Sequence, residues 1–436
     1  MRVRLFRLVP PVALVACAAL LLAACGGSSS SDGKKVTIKF LTGQAENSRD
    51  EAEAKAEVDE FNKENPGIQV QRESIPPDQV RTVLKTRLAS GSGPDVFSYD
   101  TGPGFGGVLA KANLLAPLDD AYDKYGWKIY PWARARATYG GKTYGVPVQV
   151  EEVGIFYNAD LFSKLGVQPP KTVQDLEHIA DLAKQQGLTP FAFGDKDQWP
   201  AGHQFSMTVS NLLGRKGLDD ILYGNGSWNT PKVVTAIDVF FHQFQQKGYL
   251  PKGTNGISYD DANALFYAGK AAMVPTGTWL VSDLSQKAPF KVGFFPFPSI
   301  DGSAIAPPAG VGSGWFVSAK SAHKDAAIKF INFMIGDKMA KRQIERLNDI
   351  PAFKVDTSNL QISPLFKQVL GDLSKSEDEG AFGYNIDVLT PSNFNDVMSS
   401  GFQDVLNGNR SPQQQAAQLE AAWEKAKKAG DILEKP

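Results

Sequence analysis

The chain has 436 residues, 42% hydrophobic and 21% charged, with a formal net charge of −1. That length can bury two ordinary cores, and a near-neutral chain without a basic run offers nucleic acid no electrostatic footprint. Its two cysteines, Cys17 and Cys25, both precede the body of the chain, which excludes a disulfide framework or thiolate metal site there.

The first element is a leader. Arg2, Arg4 and Arg7 precede an apolar run over 8–24 that ends in small residues, the order of a secretory signal peptide. The run contains Pro10-Pro11 and no stop-transfer charges follow it, which argues against a membrane-spanning anchor. Leu22-Ala23-Ala24-Cys25 resembles the lipobox of bacterial lipoproteins. The resemblance implies that Cys25 becomes the diacylated first residue of an exported protein, held at the outer face of the cytoplasmic membrane. Residues 26–35 read as a Gly/Ser tether, its ends roughly 17 Å apart as a flexible coil.

The body opens with the alternating strand Val36-Thr37-Ile38-Lys39-Phe40. A helix follows from about Arg49, with Val58 and Phe61 on one face, and stops at Asn65-Pro66-Gly67. Ile68-Gln69-Val70 reads as a strand; Val80, Val83, Leu84 and Leu88 keep helical spacing; Asp95-Val96-Phe97-Ser98-Tyr99 is a third strand. Strand and helix in alternation imply a parallel α/β sheet, whose ligands sit beyond the carboxyl ends of the strands. Residues 144–157 form a long extended passage with little polar relief. Thr172-x-x-Asp175 opens a helix over 172–186 like a capping box. Thr230 and Pro231 open another over 231–247, with Val234, Ile237, Phe241 and Phe244 on one face. Trp315-Phe316-Val317 is a short strand before a helix over 324–335, and the chain from Pro391 is mostly helical, most clearly over 413–428.

Several of these segments together resemble the family 1 extracellular solute-binding proteins, the maltose-binding-like sugar receptors of ABC importers. They are Gly93-Pro94-Asp95-Val96-Phe97 with Leu114-Leu115-Ala116-Pro117-Leu118, and Tyr144-Gly145-Val146-Pro147 through Ile155-Phe156-Tyr157-Asn158-Ala159-Asp160-Leu161-Phe162. The most distinctive is Phe266-Tyr267-Ala268-Gly269-Lys270-Ala271-Ala272-Met273 followed by Gly277-Thr278-Trp279. The resemblance implies an α/β, two-lobed periplasmic-binding-protein-like fold of type II. Each lobe is expected to be a mainly parallel sheet flanked by helices, with the ligand cleft between lobes. The lobes are expected to be discontinuous, 36–149 plus 312–347 and 150–311 plus 348–436. It further implies a monomeric receptor that needs no cofactor, binds a sugar or short oligosaccharide, closes on it and delivers it to the ABC permease.

A sugar presents an apolar C–H face to an aromatic ring and a rim of hydroxyls to carboxylates, amides and guanidinium groups. By family position Trp279 is the expected stacking floor. Glu151 is the expected carboxylate, because Glu152 points to the other side of an extended chain. Tyr99 and Asp100 end the third strand, where the family places an aromatic and a polar contact. Trp199 stands where relatives supply a second-lobe contact. Gln44, Glu46 and Asn47 follow the first strand; Gln149 precedes Glu151; Gly312, Ser313 and Trp315 lie at the returning crossing, with stacking and core roles both open for Trp315. Asp349 and Tyr384 complete the set.

Other chemistries are weaker. Gly102-Pro103-Gly104-Phe105-Gly106-Gly107 satisfies G-x-G-x-x-G, but after the third strand and without the downstream acid of a dinucleotide site. His178, His203, His242 and His323 show no metal-ligand spacing. A glycan-cleaving enzyme would need a second carboxylate flanking the bond opposite Glu151. Asp95, Asp100 or Glu46 could supply it, yet nothing in the sequence holds one partner protonated. The enzyme, a receptor for a non-sugar solute, and a structural or adhesive lipoprotein without a cleft stand as alternatives.

Overall fold

The computed structural model describes residues 35–45, 47–378 and 382–433. The leader, Cys25, most of the tether and Glu46 lie outside the described residues. From Lys35 onward the chain forms one compact unit, built on two mixed sheets. Among the described residues no helix is long and apolar enough to cross a membrane.

The first sheet assembles as the alternation requires. Strand Val36–Gly43 pairs in parallel with Ile68–Ile75 on one side and Val96–Asp100 on the other. Helices Ser48–Glu64 and Pro77–Ser90 make the crossovers. Asn47 caps the first, its Oδ1 accepting the Asp50 amide at 2.8 Å. Strand Ser313–Val317 then inserts antiparallel to Val96–Asp100, and Gly145–Pro147 pairs with it on its other side.

The second sheet centres on the long strand Val150–Asn158. Ala271–Gly277 runs antiparallel along one edge, with Thr189–Phe191 parallel to it beyond. Val292–Phe295 and Pro308–Val311 share the other edge. Gly383–Tyr384 adds a last parallel pairing. The two-lobed α/β fold is as expected, but each sheet is mixed rather than mainly parallel. The reason is connectivity: a strand arriving from one lobe enters the other sheet at the edge where its neighbours end, and so must run against them.

One apolar cluster is continuous from the first sheet through the crossings into one face of the second, joining Phe40, Phe61, Val96 and Phe330 to Val150, Phe156, Val274 and Phe366. A second fills the other face of the second lobe. Two helices depart from their sequence patterns. In the helix beginning Pro231–Ile237, Thr230 is the cap as predicted, but Asp238–Phe244 continues as a π-helix. Of the predicted face, Ile237, Phe241 and Phe244 are buried and Val234 only partly so; the wider π-turn brings Phe240 into the core beside Phe241. The 25-residue helix Trp199–Tyr223, broken in geometry at Gly214, has no amphipathic signature because every residue from Pro200 to Leu212 is buried.

Phe61 is fully buried, edge-on to Phe330 at 5.1 Å and Phe333 at 5.3 Å, and ties the first helix to Lys324–Met334. Phe61→Ala is expected to cost roughly 3–5 kcal/mol, read as a lowered urea midpoint by circular dichroism at unchanged m-value.

Candidate functional site

The chain passes between the two sheets at one point. Val311 pairs with Val150 in the second sheet, and one residue beyond Gly312, Ser313 pairs with Asp100 in the first. Pro147 pairs with Gly314, and three residues later Val150 begins the central strand. A third segment lies across both: the Val150 amide donates to Ile350 O at 2.6 Å and Gln149 bridges Pro351. The Gln149 amide donates to Asp349 Oδ1 at 2.8 Å, and the Thr101 hydroxyl to Val311 O at 2.6 Å. Asp100, Gln149, Glu151, Gly312, Ser313 and Asp349 are thereby gathered into one knot.

The carboxylates of the knot are crowded. Glu151 lies against Gly312, where an added Cβ would come 2.3 Å from Oε2, so a larger residue there would displace the Glu151 carboxylate. Burial, then Asp100, Asp387 and Asp349, push the Glu151 carboxyl up to about 8. Burial and Asp50 push Asp349 to about 7. Burial and Asp100, opposed by Arg81, leave Asp387 at about 6. Asp100 itself is engaged by Arg81 at 2.7 and 3.0 Å. The alternation of the strand holds: Glu151 keeps partial access to solvent and Glu152 has none.

The aromatic side of the site is a cluster on the second lobe. Strand Ala271–Gly277 ends in a glycine because the indole of Trp279 folds back over it; an added Cβ would lie 1.8 Å from Cζ3. The Trp279 Nε1–H donates to the Tyr259 hydroxyl at 2.8 Å, itself 2.8 Å from Thr276 Oγ1. Trp199, at the first turn of the long helix, has its ring 6.1 Å from Trp279 at 64° and 4.5 Å from Tyr259. Both tryptophans remain partly accessible.

His203 joins them, four residues after Trp199 on the same helix. Its ring lies 5.1 Å from Trp199 and 5.0 Å from Trp279, with Nε2 3.8 Å from Asp387 Oδ2. Burial first, then Arg81, lower its pKa to about 3, so the imidazole is neutral. The sequence set His203 aside for want of metal spacing and did not foresee Arg81, Asp387 or Tyr259. The i,i+4 relation of Trp199 and His203 was the one readable signal.

The remaining candidates are placed elsewhere. Tyr99 is half-buried, edge-on to Phe105 at 6.3 Å, and burial pushes its hydroxyl to about 12. Asn47, besides capping its helix, donates to Asp283 Oδ1 on the helix Val281–Lys287 at 2.7 Å. Gln44 is exposed on a groove along the first helix with Ser48, Lys55 and Asn62. Trp315 is resolved as a core ring, 9% exposed and edge-on to Phe40 at 6.3 Å. Tyr384 is corrected: it is 3% exposed, donates to Asp219 at 2.6 Å and lies under the Arg215 guanidinium. Its position packs the lobe rather than lining the knot. The glycines of the G-x-G-x-x-G stretch serve close approach. At Gly102, with φ +90°, an added Cβ would fall 2.0 Å from Val388 O.

Glu152 carries a pH signature. Neither carboxylate oxygen has a hydrogen-bond partner, and burial followed by Asp372 raises its pKa from 4.5 to about 8. The native state then holds a proton that the unfolded chain releases, so stability falls as pH rises from about 4.5 through 8. Glu152→Gln is expected to flatten that part of the profile of thermal midpoint against pH; an unchanged slope would mean the carboxyl is ionised in place.

Residues 45–341 match the family model for bacterial extracellular solute-binding proteins. The chain is 29% identical over 330 residues to an uncharacterized ABC transporter extracellular-binding protein of Pyrococcus horikoshii, covering 73% of this chain and 72% of that one. It is 27% identical over 361 residues to the multiple sugar-binding protein of Streptococcus mutans, covering 78% and 80%. A solved structure from work on xylan utilization by the thermophilic bacterium Caldanaerobius polysaccharolyticus superimposes with a TM-score of 0.80, covering 88% of this chain and 99% of that one. At 24% identity this last likeness speaks to the fold alone.

Proposed function

The chain belongs to the bacterial extracellular solute-binding protein family, and from that premise we propose that it is the substrate-binding lipoprotein of an ABC sugar importer. It captures a sugar or short oligosaccharide between its lobes, closes, and presents the ligand to the membrane permease. The observation that carries this reading is the pairing of accessible rings with carboxylates at the crossings: Trp279 and Trp199 on one side, Glu151 and Asp387 on the other. Rings suit the C–H faces of a sugar and carboxylates its hydroxyls. Two rings inclined to one another favour a ligand of at least two sugar units. The name of the Streptococcus mutans relative, a multiple sugar-binding protein, agrees.

In this reading 36–149 plus 312–347 move as one lobe and 150–311 plus 348–436 as the other, with the crossings as the hinge. Ligand favours the closed arrangement by binding it better than the open one. The protein acts as a monomer and performs no catalysis. Cys25 carries the lipid and the Gly/Ser tether spaces the body from the membrane surface.

Two outcomes test the proposal. Trp279→Ala is expected to weaken sugar binding by about 10-fold or more, measured by calorimetric titration with a panel of oligosaccharides; an unchanged dissociation constant removes Trp279 from the site. Cys25→Ser is expected to abolish incorporation of labelled fatty acid and move the protein from the membrane fraction to the medium or periplasm.

A further inference from the structure

His203 stands where the two tryptophans meet. Its ring centroid lies 5.1 Å from that of Trp199 and 5.0 Å from that of Trp279, and the tryptophans are 6.1 Å apart, so the three rings form a triangle. Both indoles keep partial access to solvent, while the imidazole is 8% exposed. A sugar resting on the indoles has the imidazole as its neighbour. The histidine also looks toward the first sheet, since the charges that act on it are those of Arg81 and Asp100.

The two ring nitrogens differ. Nε2 is turned to Asn385, whose Nδ2 is 3.4 Å away, and to Asp387, whose Oδ2 is 3.8 Å away. Nδ1 is buried and has no hydrogen-bond partner. A nitrogen left open in this way costs stability unless something polar comes to it. The indole nitrogens of Trp228 and Trp423 are unpartnered too, but both rings lie deep in the packed core of the second lobe. The tautomer sets the chemistry of the missing partner. With the Asn385 amide donating to Nε2, the proton sits on Nδ1, which then needs an acceptor; with Nε2 protonated toward Asp387, Nδ1 needs a donor. A hydroxyl serves either case. An anionic group finds no counter-charge here, because the imidazole is neutral and Arg81 is engaged by Asp100 at 2.7 and 3.0 Å.

Resting on the sugar-receptor reading, we infer that His203 is a specificity-determining ligand contact, its Nδ1 hydrogen-bonded to a hydroxyl of the sugar ring stacked on Trp279. The indole carries the apolar face of that ring and the imidazole reads its edge. Trp199 and His203 are four residues apart on one helix, so they face the ligand together. A saccharide without an oxygen at that edge leaves the nitrogen buried and unpaired. The contact therefore discriminates by penalising such a ligand more than by strengthening the binding of sugars in general.

The test begins with calorimetric titration of the purified full chain with maltotriose, xylotriose and triacetylchitotriose. The tightest of them is then titrated into His203→Phe, which keeps a planar ring between the tryptophans without its nitrogens, and into His203→Asn, which keeps a polar atom near the place of Nδ1. The Phe variant is expected to bind about tenfold more weakly or worse, and the Asn variant to recover most of that loss. In wild-type chain carrying nitrogen-15-labelled histidine, the Nδ1 resonance of His203 is expected to move at saturation, which decides the matter even where a variant does not fold. An unmoved Nδ1 resonance, or a folded Phe variant that binds as the wild type does, overturns the contact and leaves the sugar receptor standing. Equal weakening by Phe and Asn assigns the histidine to packing and overturns the contact as well. Failure of every saccharide with the wild type overturns the receptor reading and this inference with it.

Discussion

Three passages of one chain through a single point set the terms for everything else in the molecule. Val150 meets Val311 across paired strands and its amide meets the Ile350 carbonyl, while the Gln149 side chain ties the third passage in through Asp349. The backbone hydrogen bonds there leave no freedom to slide, since a shift of one residue would turn every side chain to the opposite face. That register decides that Glu151 meets Gly312 while Glu152 enters the core. It also decides that strands leaving one sheet run against the strands of the other. The glycines follow from the same constraint: Gly312 clears the Glu151 carboxylate and Gly102 clears the Val388 carbonyl.

The knot places acid groups where water is scarce, which opposes folding. Glu151, Asp349 and Asp387 all have raised pKa values, and in each case burial is the leading cause. A site in this condition binds protons at the expense of charge until something else supplies the donors. In the proposed receptor, a ligand that supplies partners to Glu151 and to the open nitrogen of His203 favours the arrangement that encloses them. The aromatic cluster contributes differently. Trp279 is held by its own hydrogen bond to Tyr259 and by the glycine beneath it, so it is in place before a ligand arrives.

The sequence was most readable where local chemistry decides structure. The strand and helix alternation of the first lobe, the capping box at Thr172 and the cap at Thr230 follow from nearest neighbours, and all are observed. The family resemblance brought Trp279 and Glu151 to attention, and both lie at the convergence of the lobes. It could not bring Arg81, His203 or Asp387, because each sits on an element with its own local logic and reaches the knot only through tertiary packing. The long helix Trp199–Tyr223 was invisible for a related reason: buried on all sides, it carries no polar face to set a period. Trp315, for which both roles stand open in the sequence, and Tyr384, a ligand candidate there, are both core rings. An aromatic near a crossing in sequence is as readily a core ring as a ligand platform, and only its exposure separates the two.

Trp199 shows how the fold holds a partly accessible ring at the start of a helix without a conventional cap. The residue before it, Gln198, has φ 67° and ψ −36°, a conformation that costs a non-glycine residue on the order of 1–3 kcal/mol. The turn is held from several sides. The fully buried Asp195 accepts the Ala201 amide at 2.9 Å, Gln403 donates to the Asp195 carbonyl at 2.6 Å, and Asp197 accepts the Tyr259 amide at 2.8 Å. The last of these links the turn to the tyrosine whose hydroxyl receives the Trp279 indole. Both tryptophans are therefore referenced to one residue, and the angle between their rings is a property of Tyr259 and the strained turn together. A relaxed turn would leave the helix intact but free Trp199 from that reference. The strain thus sits where ring geometry is set, in a lobe whose large aromatic core offsets it.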